Sequence, residues 1–463
     1  MELNQQIERY KDDLVQSVQE LVRIRSVQEE ALEGMPFGAA VNEALNKALA
    51  LSREMGFRTV NLDGYIGYAE YGEGEDYVGV LGHLDVVPEG DGWLYPPYAA
   101  EIHDGKIYGR GTMDDKAPIV AALFGLKALK DLQLPLKHRV RVIFGTNEES
   151  GCQEMEHYLA HEKVPISGFT PDAEYPIIYA EKGITFLDLV KELGRGDEGE
   201  VVIKSIKGGQ RANMVPDYCE AAILAKDPAQ VSQIVEDFAG TTGYPIWAES
   251  QDNTVFIKTK GVSAHGSLPH LGKNAIMQMF QCLEKLPLGN GETAKFIAFL
   301  NNYVGMETDG KSFGVGLEDK ESGKLSFNVG IISLENNEVR LTLNLRYPVT
   351  YRLEDMLDLL YQRLEGTGIG VELSLHQKPL YFPVDHPLIK SLQKVYTEQT
   401  GQEATLLAIG GGTYAKEMPN IVAFGPILPG EEDLDHQANE YIEIEHLLLN
   451  AKIYAHAIYE LAK

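Results

Sequence analysis

A chain of 463 residues with 41 basic and 69 acidic side chains has a formal net charge of −28, which repels phosphate backbones and argues against nucleic acid as a partner. Its 44% hydrophobic and 24% charged residues are ordinary for a folded globular protein, with length enough for two or three domains. Cys152, Cys219 and Cys282 are far apart and form no CxxC pair, which argues against a disulfide framework or a thiolate zinc site and predicts three buried free thiols in a reducing compartment.

The first segment has no signal-peptide pattern, and no apolar run nears the roughly 20 residues of a membrane span. A cytoplasmic protein without membrane contact is expected. Ile7, Tyr10, Leu14, Val18 and Leu21 recur at helical spacing. A second helix is predicted around Val41, Leu45 and Leu49, stopped at Gly56. Short apolar runs follow as strands: YIGYAEYG, YVGVLG and RVRVIFG, with APIVAALFGLKALKDL as a helix between the last two. That alternation predicts α/β architecture. From Gly183 to Lys378 the style changes. ITFLDLVKEL, YCEAAILAK, NTVFIKTKG and EVRLTLNLRYP read as strands, with helices near AQVSQIVEDFAG and NAIMQMFQCLEKL. The tail returns to the first style with HPLIKSLQKVYTEQTG as a helix, EATLLAIG and NIVAFGPI as strands, and EIEHLLLNAKIYAHAIYELAK as a closing helix.

The expected fold class is therefore α/β. A domain with a largely parallel mixed sheet flanked by helices spans residues 1–182 and 379–463, and an α+β domain of two similar halves is inserted as residues 183–378. The faint repeat rests on RANMVPDYCEAAILAK and FNVGIISLENNEVRLTLNLR, each with an asparagine–hydrophobic pair before a strand.

Chemistry concentrates where strands end or helices begin. His83 and Asp85 stop the YVGVLG run. Asp114 and Asp115 enter a helix, Glu148 and Glu149 follow a strand, Asp172 sits in a proline-bounded turn, and His436 lies in the polar loop EEDLDHQANE. Each has an ordinary reading as a cap, turn or surface group. Together they are imidazole and carboxylate donors without cysteine, a set suited to zinc, manganese or cobalt. In open α/β sheets such sites lie beyond the carboxyl ends of strands.

GHLDVVPEGDGW, GRGTMDDK, TNEESG, TPD, GVSAHGSLPHLGKNA and DHQANE stand in the order found in the M20 metallopeptidases. With its long insertion and AIGGGTYAKEMPN, the chain most resembles the PepV-type dipeptidases of that family, which act on Xaa-His or β-alanyl dipeptides, and the resemblance covers nearly the whole chain. It implies two divalent ions, zinc first and manganese or cobalt as alternatives. His83, Asp114, Asp172, Glu149 and His436 would be their ligands, with Asp114 bridging. It implies Glu148 as general base, Asp85 orienting His83, a cis peptide at Asp114–Asp115, and His265 as a histidine stabilising the oxyanion. Asn213, Arg346, Gly411, Gly412 and Thr413 would touch substrate, Arg346 gripping its carboxylate and the glycines bringing backbone N–H groups close.

The implied activity is hydrolysis of small dipeptides by a monomer. The alternative is N-acyl amino acid deacylation or desuccinylation on the same site, and Asp115 is a candidate anchor for a substrate amine. Ala117 departs from the glycine usual after the DDK lysine.

Overall fold

The computed structural model describes residues 2–193 and 200–463. The chain divides into two units. One comprises residues up to Tyr179, Phe382–Leu407 and Thr413–Lys463, and the other Ala180–Tyr381 and Ala408–Gly412. The junctions fall about three residues from the composition change, and residues 408–412, expected with the first domain, join the second unit.

The sheet of the first unit runs in the order Arg58–Leu62, Ile66–Tyr71, Arg139–Gly145, Tyr77–His83, Ser167–Thr170, Ile421–Ala423 and Ile177–Glu181. The strands from Arg139–Gly145 to Ile421–Ala423 are mutually parallel, and the outer ones are antiparallel. Every residue of Tyr77–His83 is buried, as expected for a parallel strand covered on both faces. Gly67 and Gly82 both lie in register with Phe144 and so share its face. There Leu45 and Leu49 of helix Ala39–Glu54 approach Gly67, and Ile119 of helix Lys116–Asp131 approaches Gly82. On the opposite face Tyr158 of helix Gln153–His161 meets Tyr77, their hydroxyls 2.9 Å apart. The closing helix Ile444–Ala462 crosses Lys116–Asp131 at Gly125, where an added Cβ would lie 3.0 Å from the Ala455 nitrogen.

The second unit is built on an antiparallel sheet ordered Ile246–Gln251, Thr254–Lys260, Tyr218–Ala225, Val201–Gly208, Ser326–Glu335, Glu338–Tyr347, Gly183–Glu192, Gly370–Gln377. Its halves meet at the Lys207–Ser333 pair. Each half has two paired strands, then a helix (Pro228–Thr242 or Leu353–Leu364), then the strand at its sheet edge. A twofold axis through the Lys207–Ser333 pair carries Lys204 onto Gly330, and both are the skipped residues of a β-bulge. The repeat is thus present, although in a different register from the two passages that hinted at it. Asn213 precedes the second strand of its half, whereas Asn328 lies inside the first strand of the other. Leu187, Phe280, Leu341 and Leu343 are among the core residues under this sheet.

Three local expectations change. The first helix is interrupted at Tyr10 into Glu2–Arg9 and Lys11–Val22. The strands Val201–Gly208, Ile246–Gln251 and Gly370–Gln377 and the helices Glu292–Tyr303 and Leu353–Leu364 were not anticipated. Cys219 and Cys282 are buried, but Cys152 is only half-buried, in a left-handed conformation before helix Gln153–His161.

Candidate metal centre

Three neighbouring parallel strands end at the same edge of the first sheet, and each delivers acidic or imidazole groups there. Tyr77–His83 ends in His83 with Asp85 two residues on; Arg139–Gly145 leads to Glu148 and Glu149; Ser167–Thr170 leads to Asp172. Asp114 and Asp115 precede helix Lys116–Asp131, and His436 comes from the loop before Tyr441–Glu443. Glycines at the strand ends permit the crowding. A Cβ at Gly82 would strike the Asp115 carboxylate, and one at Gly145 the Tyr414 hydroxyl.

His83, Asp114 and Asp172 form one group, and Asp114, Glu149 and His436 another; within each group one donor atom per residue lies within 4.8 Å of the others. Asp114 belongs to both. Its Oδ1 is 2.8 Å from His83 Nε2 and its Oδ2 is 3.2 Å from His436 Nε2, which is also 2.9 Å from Glu149 Oε2. Asp172 Oδ2 is 3.8 Å from His83 Nε2. His83 Nε2 and Glu149 Oε1 are among the buried polar atoms with no hydrogen bond of acceptable geometry.

The charges are unbalanced in the same sense. Burial, then the charge of Asp114, pushes Asp172 up to about 7. Burial, reinforced by Asp172 and Glu149, raises Glu148 well above the carboxylate range. Against its burial, the close approach of the His436 and His83 rings holds Asp114 well below that range. The carboxylates of Asp114 and Glu149 against its ring lift His436 to about 11. Orphaned donor atoms and crowded carboxylates are what a pair of divalent cations would satisfy, so the residues fit such ions.

Buried carboxylates hold the loops. Asp85 accepts the backbone N–H groups of Glu148 at 3.2 Å and Glu149 at 3.1 Å. The nearest partner of His83 Nδ1 is the Asp85 carbonyl oxygen at 3.0 Å, with the carboxylate Oδ1 at 3.5 Å. Asp115 is 0% exposed and accepts the His83 N–H at 3.1 Å. It is therefore a structural acid, closed off from the substrate amine that the sequence suggested for it. The Asp114–Asp115 peptide is cis. Sequence reasoning gave no role to Glu440, Glu154 or Tyr414. Buried Glu154 accepts hydrogen bonds from the Tyr414 hydroxyl and, at 3.2 Å, from the Asn147 N–H beside Glu148. The Tyr414 ring also meets the His83 ring edge-on, centroids 6.2 Å apart.

The second unit gathers another polar cluster. His265 Nδ1 lies 2.6 Å from Ser267 Oγ and accepts the Ser267 N–H at 3.4 Å, which leaves the proton on Nε2. Burial, then the Arg346 charge, lowers His265 and keeps it neutral. Gly266 donates its N–H to the Asn213 carbonyl at 2.6 Å. Arg346, 4% exposed, donates to Asn344 Oδ1 at 3.1 Å and to the Gly410 carbonyl at 3.0 Å, and no acidic side chain among the described residues pairs with it. A Cβ at Gly411 would meet only Ile409 Cδ1, at 3.6 Å, so the fold itself does not require glycine there. Thr413 belongs to the first unit, where its hydroxyl accepts the Ala415 N–H at 3.2 Å.

The model of Peptidase family M20/M25/M40 matches residues 79–460. The chain belongs to this family. A Bacillus subtilis (strain 168) protein named "Putative dipeptidase YtjP" is 42% identical over 98% of both chains, and a Staphylococcus epidermidis protein named "Putative dipeptidase" is 36% identical over 98% of this chain and 97% of its own. Among solved structures, human carnosine dipeptidase 1 aligns with a TM-score of 0.57 at 17% identity over 99% of this chain and 98% of its own. Aminoacylhistidine dipeptidase from Vibrio alginolyticus aligns with 0.59 at 14%, over 97% and 96%. Both carry the same fold. In this M20 peptidase the unusual Ala117 is buried within helix Lys116–Asp131, so the departure leaves the helix start intact. No helix among the described residues is long and apolar enough to cross a membrane.

Proposed function

We propose that this M20 peptidase is a metal-dependent dipeptidase, a monomer of the cytoplasm that cuts small peptides bearing a free carboxylate. The observation that carries the reading is the pair of three-donor groups sharing Asp114 next to Glu148. The names of the full-length relatives support the choice of substrate, and a twofold repeat within one chain supports a protein that works alone.

In this reading His83, Asp114 and Asp172 would hold one divalent ion, and Asp114, Glu149 and His436 the other, zinc before manganese or cobalt. When bound, two such ions supply positive charge that acidifies a water molecule and polarises a peptide carbonyl. Glu148, beside both groups, would take a proton from the attacking water and return it to the leaving amine. Asp85 keeps Glu148 in place through the backbone rather than by touching substrate. Neutral His265 offers an Nε2–H to the carbonyl oxygen as negative charge develops there. Arg346, buried with no acidic partner among the described residues, is suited to receive the substrate carboxylate, with Asn213 and the backbone N–H groups of Gly411, Gly412 and Thr413 as further donors.

The experiment is release of amino acids from a dipeptide panel, with N-acyl and N-succinyl amino acids alongside, by chelator-stripped protein resupplied with zinc, manganese or cobalt. Metal-dependent cleavage of free-amine dipeptides is expected. Cleavage of the acylated compounds alone would make the protein a deacylase.

A further inference from the structure

Glu440 lies four residues after His436 and is 0% exposed. Its carboxylate accepts four hydrogen bonds from one loop. Oε2 takes Arg110 Nη1 at 2.7 Å and the Gly111 N–H at 3.1 Å, while Oε1 takes the Met113 N–H at 2.7 Å and the Asp114 N–H at 3.3 Å. The Glu440 carbonyl also accepts the Gly109 N–H at 2.9 Å. Arg110 is itself buried and stacks over Trp93, 5.4 Å from the ring centroid. The loop carrying the shared carboxylate is therefore wound around a single buried carboxyl group whose own backbone leads back to His436.

We propose that Glu440 is a positioning residue that sets Asp114 so that both donor groups form together. The inference rests on the metal-dependent reading. Its signature follows from the sharing of Asp114. A ligand such as His436 serves one group, so its loss weakens one ion. Glu440 acts through the common member, so its loss weakens both.

The test is zinc binding by the full chain after chelator stripping, titrated against a chromogenic chelator, with the melting temperature of the stripped protein measured in parallel. The proteins are wild type, Glu440→Gln and His436→Ala. Wild type is expected to bind two zinc ions. His436→Ala should lose one. Glu440→Gln should bind both between about 10-fold and 100-fold more weakly, the usual cost of losing a group that supports metal ligands. If Glu440→Gln does not fold, Glu440→Asp takes its place. It keeps the carboxyl group on a shorter arm and should weaken the binding of both ions to a smaller degree. A folded Glu440 variant with wild-type affinity at either ion overturns the assignment and leaves the metal reading standing. A wild type that binds no zinc, manganese or cobalt overturns both.

Discussion

Asp114 is the residue on which the two donor groups depend, and its neighbours separate binding from turnover. Asp114→Asn is expected to abolish binding of both ions, whereas Asp172→Ala should spare the Glu149–His436 side; metal analysis after dialysis distinguishes them. Glu148 belongs to neither group. Glu148→Gln should keep its metal and lower kcat by roughly 10²- to 10⁴-fold, the usual contribution of a general base, and a variant with normal turnover would remove it from that role. Glu154 carries a pH dependence of its own. Burial, then the charge of Asp85, pushes it from 4.5 up to about 7 in the folded protein. Between those values the folded state holds a proton that the unfolded chain has released, so stability falls as pH rises through that window, by about 3 kcal/mol in total. Urea unfolding at pH 5 and pH 7.5 should show a smaller loss in Glu154→Gln than in wild type.

Strand ends and helix crossings decide whether these residues can meet. Parallel strands buried on both faces bring three carboxyl ends into register, so His83, Glu148 and Asp172 arrive from segments distant in sequence. The strand YVGVLGH is legible in the sequence because both its faces need apolar residues. The edge strand Gly370–Gln377 escaped because most of it is exposed and its composition resembles a loop. The helix pair behind the central strands tolerates little extra volume. Gly125→Val would press a branched side chain onto the Ala455 backbone, 3.0 Å from the site of its Cβ. Overpacking of this kind costs about 1–3 kcal/mol. Thermal unfolding should register that loss, and an unchanged midpoint would mean that the two helices can move apart freely.

Across the whole molecule, the proposed metal ligands and the proposed substrate-handling residues other than Thr413 fall in different units. Every member of the two donor groups lies in the first, and His265, Asn213 and Arg346 lie in the second. His265→Ala should therefore keep a full metal load while kcat drops by roughly 10²- to 10³-fold, as for a lost oxyanion donor. Arg346→Met should chiefly raise KM for peptides with a free carboxylate. Loss of metal in either variant would contradict this division.

The sequence by itself determined the alternation of apolar strands and helices, the long insertion, and the polar residues at the strand ends. These are signals of local periodicity and spacing, and burial imposes them on neighbouring residues. Only the tertiary structure decided what those residues touch. Asp115 looked available to a ligand until it proved fully buried against the His83 backbone. The halves of the second unit repeat by strand order and by their paired bulges rather than by the asparagine passages. Glu440 and Arg110 are 330 residues apart in the chain, and Tyr414 and Glu154 are 260. A hydrogen bond across such a separation leaves no periodic trace in sequence, because the route of the chain through the sheet brings its partners together.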